Sequence, residues 1–259
     1  MAHSYQQFQP IEPFRDLIDA YWINRVDAVG SAPVDRVLPD GCIDLVFRGG
    51  SADGGRLFSS ALIERPVFLD DAVPRWFAGV RFKPAMVRAF LDIDPIACRD
   101  RDIPAVEIEA GLAALEQRLQ ECASAEQALA TLKRAVDARL MRRDRYRAPA
   151  PVREAIALLA RNLEIHRVAH SLGMSERSLH RDLTRWSGLA PKSMARILRM
   201  QRTVAAIRAG RMPLATLALH MGYADQAHMT RELKELAGFT PAEIARPVRN
   251  LQDNARAAA

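Results

Sequence analysis

Residues 175–188 read SERSLHRDLTRWSG, with Arg177, Arg181 and Arg185 four apart and His180 beside Arg181. On a helix, that spacing gathers side chains along one stripe. A guanidinium presents two parallel N–H donors, a fork that matches O6 and N7 of guanine or two phosphate oxygens; an ammonium cannot reproduce it. Leu179, Leu183 and Trp186 fall at i, i+4 and i+7 and are expected to face a core. The chemistry on offer is recognition of a polyanion rather than the making or breaking of bonds.

The stripe belongs to an internal repeat. LGMSERSLHRDLTRWSGLAP (172–191) reappears as MGYADQAHMTRELKELAGFTP (221–241), with Gly173 matching Gly222, Gly188 matching Gly238 and Pro191 matching Pro241. The helix ahead of each turn repeats as well: Ile165, Val168, Ala169 and Leu172 have the spacing of Leu214, Leu217, Ala218 and Met221. Each unit therefore reads as an apolar-striped helix, a glycine turn, and a second helix capped by Ser175 or Asp225, which is the pattern of a helix-turn-helix. In that motif the second helix enters the major groove of DNA, its early residues nearest the base edges. Base reading is thus expected of Arg177, His180 and Arg181, and phosphate contact of Thr184 and Arg185. In the second unit the reading face is Gln226, Ala227 and Arg231, with Thr230 at phosphate; His228 is expected to pack. Between the units, 191–210 reads as one helix ended by Gly210. Met194, Leu198, Val204 and Ile207 line its apolar side, and Arg196 and Arg199 are expected to meet phosphates.

Charge agrees. The chain of 259 residues carries +6, but residues 1–150 balance at −2 and 151–259 at +8. A basic second half points to an acidic polymer as its partner. Salt-dependent affinity is expected to come from the first unit, because 212–245 hold two basic against four acidic side chains.

These residues resemble the C-terminal DNA-binding domain of AraC/XylS-type bacterial transcription regulators. The resemblance covers about 150–248, where LATLALHMGYADQAHMTRELKELAGFTP carries Gly222, Asp225, Gln226, Phe239 and Pro241 at the family's typical positions. Met229 and Leu233 stand where phenylalanines are usual, swaps of similar volume that keep packing. VLPDGCIDLVF with GVRFKPAMVRAFL is similar to a small β-rich domain that precedes this module in some members. The resemblance implies a sequence-specific transcription regulator, a homodimer in the cytoplasm. Its partners would be double-stranded DNA, RNA polymerase and a small-molecule effector received by the N-terminal domain.

The fold class expected is α+β: a small antiparallel β-rich domain with helices, then an all-α domain of two helix-turn-helix units joined by a long helix. The runs 19–26, 42–48 and 76–83 are rich in aromatic and β-branched residues between Gly and Pro turns, and Pro84 opens a short helix. Boundaries are expected at 1–106 for the β-rich sensing domain, 107–142 for a helical pair, 143–150 for a linker, 151–248 for the DNA-binding domain and 249–259 for a flexible tail. Leucine faces at 112, 115 and 119 and at 129, 132, 136 and 140 suggest a dimer contact. Trp22, Asp40, Asp44, Trp76 and Arg81 are candidate pocket residues, aromatic faces with a few charges on strands.

Other chemistries find little support. No apolar run approaches the ~18–20 residues of a membrane span, and the N-terminus lacks a secretion pattern. Cys42, Cys98 and Cys122 form neither a disulfide framework nor a zinc spacing. Five of six histidines lie beyond residue 160, and His166 with His170 lack a third ligand, so no metal or other cofactor is expected. No catalytic residue is assigned. A redox-responsive Cys42 is one alternative, although flanking aspartates should raise its thiol pKa. A nonspecific architectural DNA binder is another.

Overall fold

In the first hundred residues, the period-two alternation of strands decides which side chains meet. The computed structural model describes residues 4–26, 36–50, 54–68, 75–142 and 148–245; most of the expected linker (143–147) and the whole expected tail (249–259) lie outside them. Strands β1 (Ser4–Phe8), β2 (Ile18–Val26), β4 (Ile43–Gly49), β5 (Arg56–Ser59), β7 (Arg75–Phe82) and β8 (Ile103–Pro104) form one sheet in the order β1-β2-β7-β4-β5-β8. All of its strand pairings are antiparallel. The short β3 (Arg36–Val37) and β6 (Val67–Phe68) pair separately.

One face of the sheet carries Tyr21, Ile23, Leu45, Phe47, Ala78, Val80 and Phe82, all buried. The other carries Trp22, Asn24, Asp44, Val46, Phe77, Gly79 and Arg81. Two tryptophans lie over glycines of the neighbouring strand, one on each face. A β-carbon on Gly79 would come within 2.3 Å of the Trp22 ring, and one on Gly49 within 2.2 Å of the Trp76 ring. Only glycine admits either ring.

The segment after Pro84 does not form the helix expected of it. Ala85 sits at φ 69°, in the left-handed region, and only a 3-10 turn at Val87–Ala89 follows. Helices α1 (Ala105–Ile108), α2 (Ala113–Gln120) and α3 (Ala125–Arg142) come next, with the α2–α3 break where Ala123 and Ser124 stand. Their leucine faces do not form a surface for a second chain. Leu112, Leu115, Leu119, Leu129, Leu132, Val136 and Leu140 are buried within this chain, because α3 packs on β7 and β2. The sheet offers an apolar face that the leucines cover, which removes the reason for expecting a dimer contact there. The Tyr21 hydroxyl donates to Asp137 of α3, and Lys133 Nζ lies 4.4 Å from the Tyr21 ring centre.

The rest is helical: α4 (Ala150–Ala160), α5 (Ile165–Ser171), α6 (Glu176–Ser187), α7 (Pro191–Ala209), α8 (Leu214–His220), α9 (Gln226–Leu236) and α10 (Pro241–Ile244). The protein is thus α+β, an antiparallel sheet region followed by an all-helical one. One buried cluster runs from the sheet through α2 and α3 into α4–α6 and the first part of α7. A second cluster, built on Met200, Val204, Leu217, Tyr223, Met229, Leu233 and Phe239, fills α8–α10 and the far end of α7. Among the described residues, no helix is long and apolar enough to cross a membrane.

Because Leu132 is fully buried against the sheet, Leu132→Ala is expected to cost about 2–5 kcal/mol in urea denaturation. The loss should be the same at low and high protein concentration; a loss that grows on dilution would return this face to an intermolecular role.

Candidate nucleic-acid interface

Helix α6 starts where Ser175 Oγ accepts the Ser178 N–H at 3.1 Å, and it ends at Gly188 in the left-handed conformation (φ 76°). Leu179 and Leu183 are buried and Trp186 half-buried, as their spacing requires. The opposite face exposes Arg177, His180, Arg181 and Arg185, with Thr184 half-buried beside them. Arg181 lies 2.9 Å from Asp182 but stays 69% exposed, so that pair is easily exchanged for another anion. An open groove of about 1450 Å³ runs along this face. Its other walls include Lys192 and Ser193 at the start of α7, and Arg88, Asp94 and Ile96 from the N-terminal part. The Arg88 guanidinium stands 5.1 Å from the Trp186 ring centre, which places the N-terminal part against the end of the cationic helix.

Helix α9 repeats the construction with different chemistry. Asp225 Oδ1 accepts the His228 N–H at 2.6 Å. Gln226, Ala227 and Arg231 are exposed, and half-buried Thr230 donates its hydroxyl to the Gln226 carbonyl at 2.9 Å. His228 packs edge-on against Tyr223, centroids 5.4 Å apart, and its Nδ1 accepts the Ala224 N–H. Met229 and Leu233, the two departures from the usual phenylalanines, are fully buried.

Arg196 and Arg199 are engaged within the chain, although Arg196 stays 29% exposed and lines the groove along α6. Both turn to Glu232, a carboxylate only 5% exposed on α9. Arg199 binds it through Nε at 2.9 Å and through its terminal nitrogen at 2.7 and 2.8 Å, and its guanidinium lies 4.5 Å from the Tyr223 ring centre. Arg196 divides itself between Glu232 at 3.0 Å and Glu235 at 2.7 Å. Hydrogen bonding to Glu235, and then to Glu232, holds the Arg196 guanidinium more firmly protonated than usual. The physical reason is burial: a carboxylate inside the α7–α9 contact must be paired, and these arginines are the cations within reach. They position α9 on α7. A sequence signal for this existed, since Glu232 interrupts the apolar stripe Met229, Leu233, Leu236 at a core-facing position.

The candidate pocket residues divide between the two faces of the sheet. Trp22, Asp40, Asp44 and Arg81 come together around a cavity of about 310 Å³. Trp22 Nε1 donates to Asp44 at 2.8 Å, Arg81 binds Asp44 through two nitrogens at 3.2 Å each, and Arg81 Nε stands 3.4 Å from Asp40. Burial pushes the Asp44 carboxyl up to about 6 against the pull of Arg81, which stays protonated because Asp44 faces it. Trp76 is not part of this site. It is five residues from Arg81 on one strand, an odd separation, so it points to the helix-covered face and packs on Phe47 and Gly49. Cys42 stands on the cavity wall, where burial first, then Asp40 and Asp19, push its thiol well above the ordinary value. That environment is the reverse of what a reactive thiolate needs. Among the described residues, no group of three His, Cys, Asp or Glu side chains stands close enough to hold a metal ion.

Comparison with known proteins agrees with this geometry. Residues 150–246 match a family described as a helix-turn-helix domain, and residues 6–104 match one described as a domain of unknown function (DUF6597). No curated protein sequence matches. Among solved structures, the chain is similar to an AraC-type transcriptional regulator from Chromobacterium violaceum, at 22% identity over 38% of this chain and 94% of that one, TM-score 0.35. The C-terminal domain of AraT, a response regulator from Geobacillus stearothermophilus, is similar at 21% identity over 41% and 92%, TM-score 0.37. An apo variant of ToxT from Vibrio cholerae matches at 11% identity over 88% and 98%, TM-score 0.44. The capped, paired helices, together with the family match over 150–246, define a helix-turn-helix domain.

Removing Glu232 would leave two cations packed in the α7–α9 contact without their shared anion. Glu232→Ala is expected to lower stability by about 3–5 kcal/mol in denaturant melts; a change under ~1 kcal/mol would show that the pair does not hold the two helices together.

Proposed function

We propose that this protein binds double-stranded DNA sequence-specifically as a transcription regulator, laying α6 and α9 in successive major grooves of one duplex. The observation that carries the proposal is the face of α6: Arg177, His180, Arg181 and Arg185 stand exposed on a helix whose other side is buried at Leu179 and Leu183. Nothing in the fold of that helix requires four cationic or titratable side chains on one stripe, whereas base edges and phosphates do. Arg177, His180 and Arg181, near the helix start, read bases; Arg185 and Thr184 meet the backbone. In α9, Gln226 has the amide that pairs with adenine N6 and N7, Arg231 reads guanine, and Ala227 contacts a thymine methyl. Thr230 lies at phosphate.

The 19 residues of α7 span roughly 28 Å at 1.5 Å each. Successive major-groove faces lie about 34 Å apart, and bending of the DNA absorbs the difference. Arg196 and Arg199 hold α9 on α7 through Glu232, and Arg196 also lines the groove beside α6, within reach of a phosphate there. The N-terminal part acts as the receiver of a small-molecule signal, with Trp22, Asp40, Asp44 and Arg81 at its cavity. The protein works in the cytoplasm as a homodimer that engages RNA polymerase, as its resemblance to AraC-type regulators implies.

Selection of binding sites from random duplexes tests the proposal. It should return a motif of two elements about one helical turn apart, and affinity equal to that for scrambled DNA at physiological salt would leave only a nonspecific architectural binder. On the selected site, Arg181→Ala is expected to cost roughly 1–3 kcal/mol and relax preference at one base pair, while Arg185→Ala lowers the salt slope by about one without changing preference. An unchanged affinity and footprint for Arg181→Ala would remove that side chain from base reading.

A further inference from the structure

We propose that the N-terminal part is a splint for α6 and α9. By clamping the C-terminal ends of both helices it fixes their separation, and so the number of base pairs allowed between the two halves of the DNA site. The spacing role rests on the reading that both helices enter one duplex.

The helical region by itself sets that separation loosely. The cores of its two units divide on α7, with Met194 and Ile197 in the first and Met200, Val204 and Ile207 in the second. Away from α7, the units also meet where Asn162, in the turn after α4, lies against Gly222. A long helix gripped by a different core at each end still bends along its length. A bend in α7 carries α9 with it.

The N-terminal part closes this frame at two points that correspond in the repeat. Gly188 ends α6 and Gly238 follows α9, both left-handed at φ 76° and 73°. Arg99 donates to the Gly188 carbonyl through Nε at 2.7 Å and again through a terminal nitrogen, and Arg36 donates to the Gly238 carbonyl at 2.9 Å. The same glycines are braced from one short segment. A β-carbon on Gly188 would meet Leu62 at 2.5 Å, and one on Gly238 would meet Pro66 at 3.3 Å. Each clamping arginine is paired by its backbone to that segment, Arg99 to Leu62 and Arg36 to Phe68. Leu62 and Pro66 are four residues apart, hence at most about 14 Å from each other. Both helix ends are therefore tied to one small piece of the sheet region. The chain beyond Arg36 then follows α7: Leu38 is buried in the second core, the Pro39 carbonyl accepts from Gln201, and a β-carbon on Gly41 would meet Met194 Sδ at 3.2 Å. One base pair of offset moves a groove site by about 3.4 Å along the duplex and about 35° around it. A pair of helices held at a fixed distance cannot follow that displacement, and a loosely joined pair can.

The test measures affinity of the full chain, at one salt concentration, for its selected site and for copies with one base pair inserted or removed between the two halves. The unaltered chain should lose at least about tenfold for either change. The double variant Arg36→Ala with Arg99→Ala should lose no more than about threefold. A merely structural weakening lowers affinity for every spacing by the same factor. A double variant that keeps the full discrimination therefore overturns the spacing role, and so does an unaltered chain indifferent to spacing. A second readout needs no DNA. Spin labels on Glu176→Cys and Lys234→Cys, in a chain also carrying Cys42→Ser and Cys122→Ser, report the distance between α6 and α9. Its distribution should be narrow with both arginines present and broader without them; an unchanged width overturns the splint. If the double variant does not fold, both readouts are taken on Arg99→Ala alone, a change at an exposed residue. Absence of sequence preference on any duplex would overturn the DNA reading and the spacing role with it, whereas the width of the distance distribution judges the splint independently.

Discussion

Glu232 is a carboxylate at a helix position that its neighbours fill with leucine and methionine, and the seating of α9 on α7 depends on how it is neutralised. Two arginines three residues apart on α7 close around it, one of them also stacked near Tyr223. Such a buried set adds little to stability compared with an apolar contact, but it tolerates only one arrangement of the helices. That property fixes α9 against the long connecting helix α7. Two of the arginines expected to meet phosphates from α7 are instead engaged with Glu232.

The N-terminal part meets both units at equivalent places. The carbonyl of Gly188, at the end of α6, accepts from Arg99 Nε at 2.7 Å, and that of Gly238, just past α9, accepts from Arg36 at 2.9 Å. These two glycines correspond in the internal repeat. Each carbonyl stands at a helix C-terminus, where backbone acceptors lack helical partners and a guanidinium is favoured by the dipole. A domain that could have been a passenger is thereby linked to the ends of both α6 and α9. The first unit even shares its buried cluster with the sheet.

Much of this was legible because it is local. The caps at Ser175 and Asp225, the exposed stripe on α6 and the packing of His228 all follow from residues within a turn or two of one another, and the repeat shows as the same local pattern met twice. The three strands at 18–26, 43–49 and 75–82 were legible for the same reason. Trp76 could have been placed as well, since an odd separation from Arg81 on one strand puts the two on opposite faces. The leucine faces of α2 and α3 were readable as faces, but not their partner. Whether an apolar stripe meets a sheet or a second chain depends on what folding brings opposite it, and here β2 and β7 arrive.

The sequence by itself determined the secondary structure of the C-terminal half, its duplication and the sign of its charge, because helix period, capping and formal charge depend on residue type and near neighbours alone. Only the tertiary structure decided that Arg196 and Arg199 serve Glu232, that Trp22, Asp40, Asp44 and Arg81 meet at one cavity, and that Arg36–Asp40 touches both that cavity and the second unit. Those contacts join residues tens to hundreds apart, such as Arg36 with Gly238 and Gln201 with Pro39. Burial and hydrogen-bond satisfaction then select the partners of each buried charge, and neither quantity exists until the chain has closed on itself.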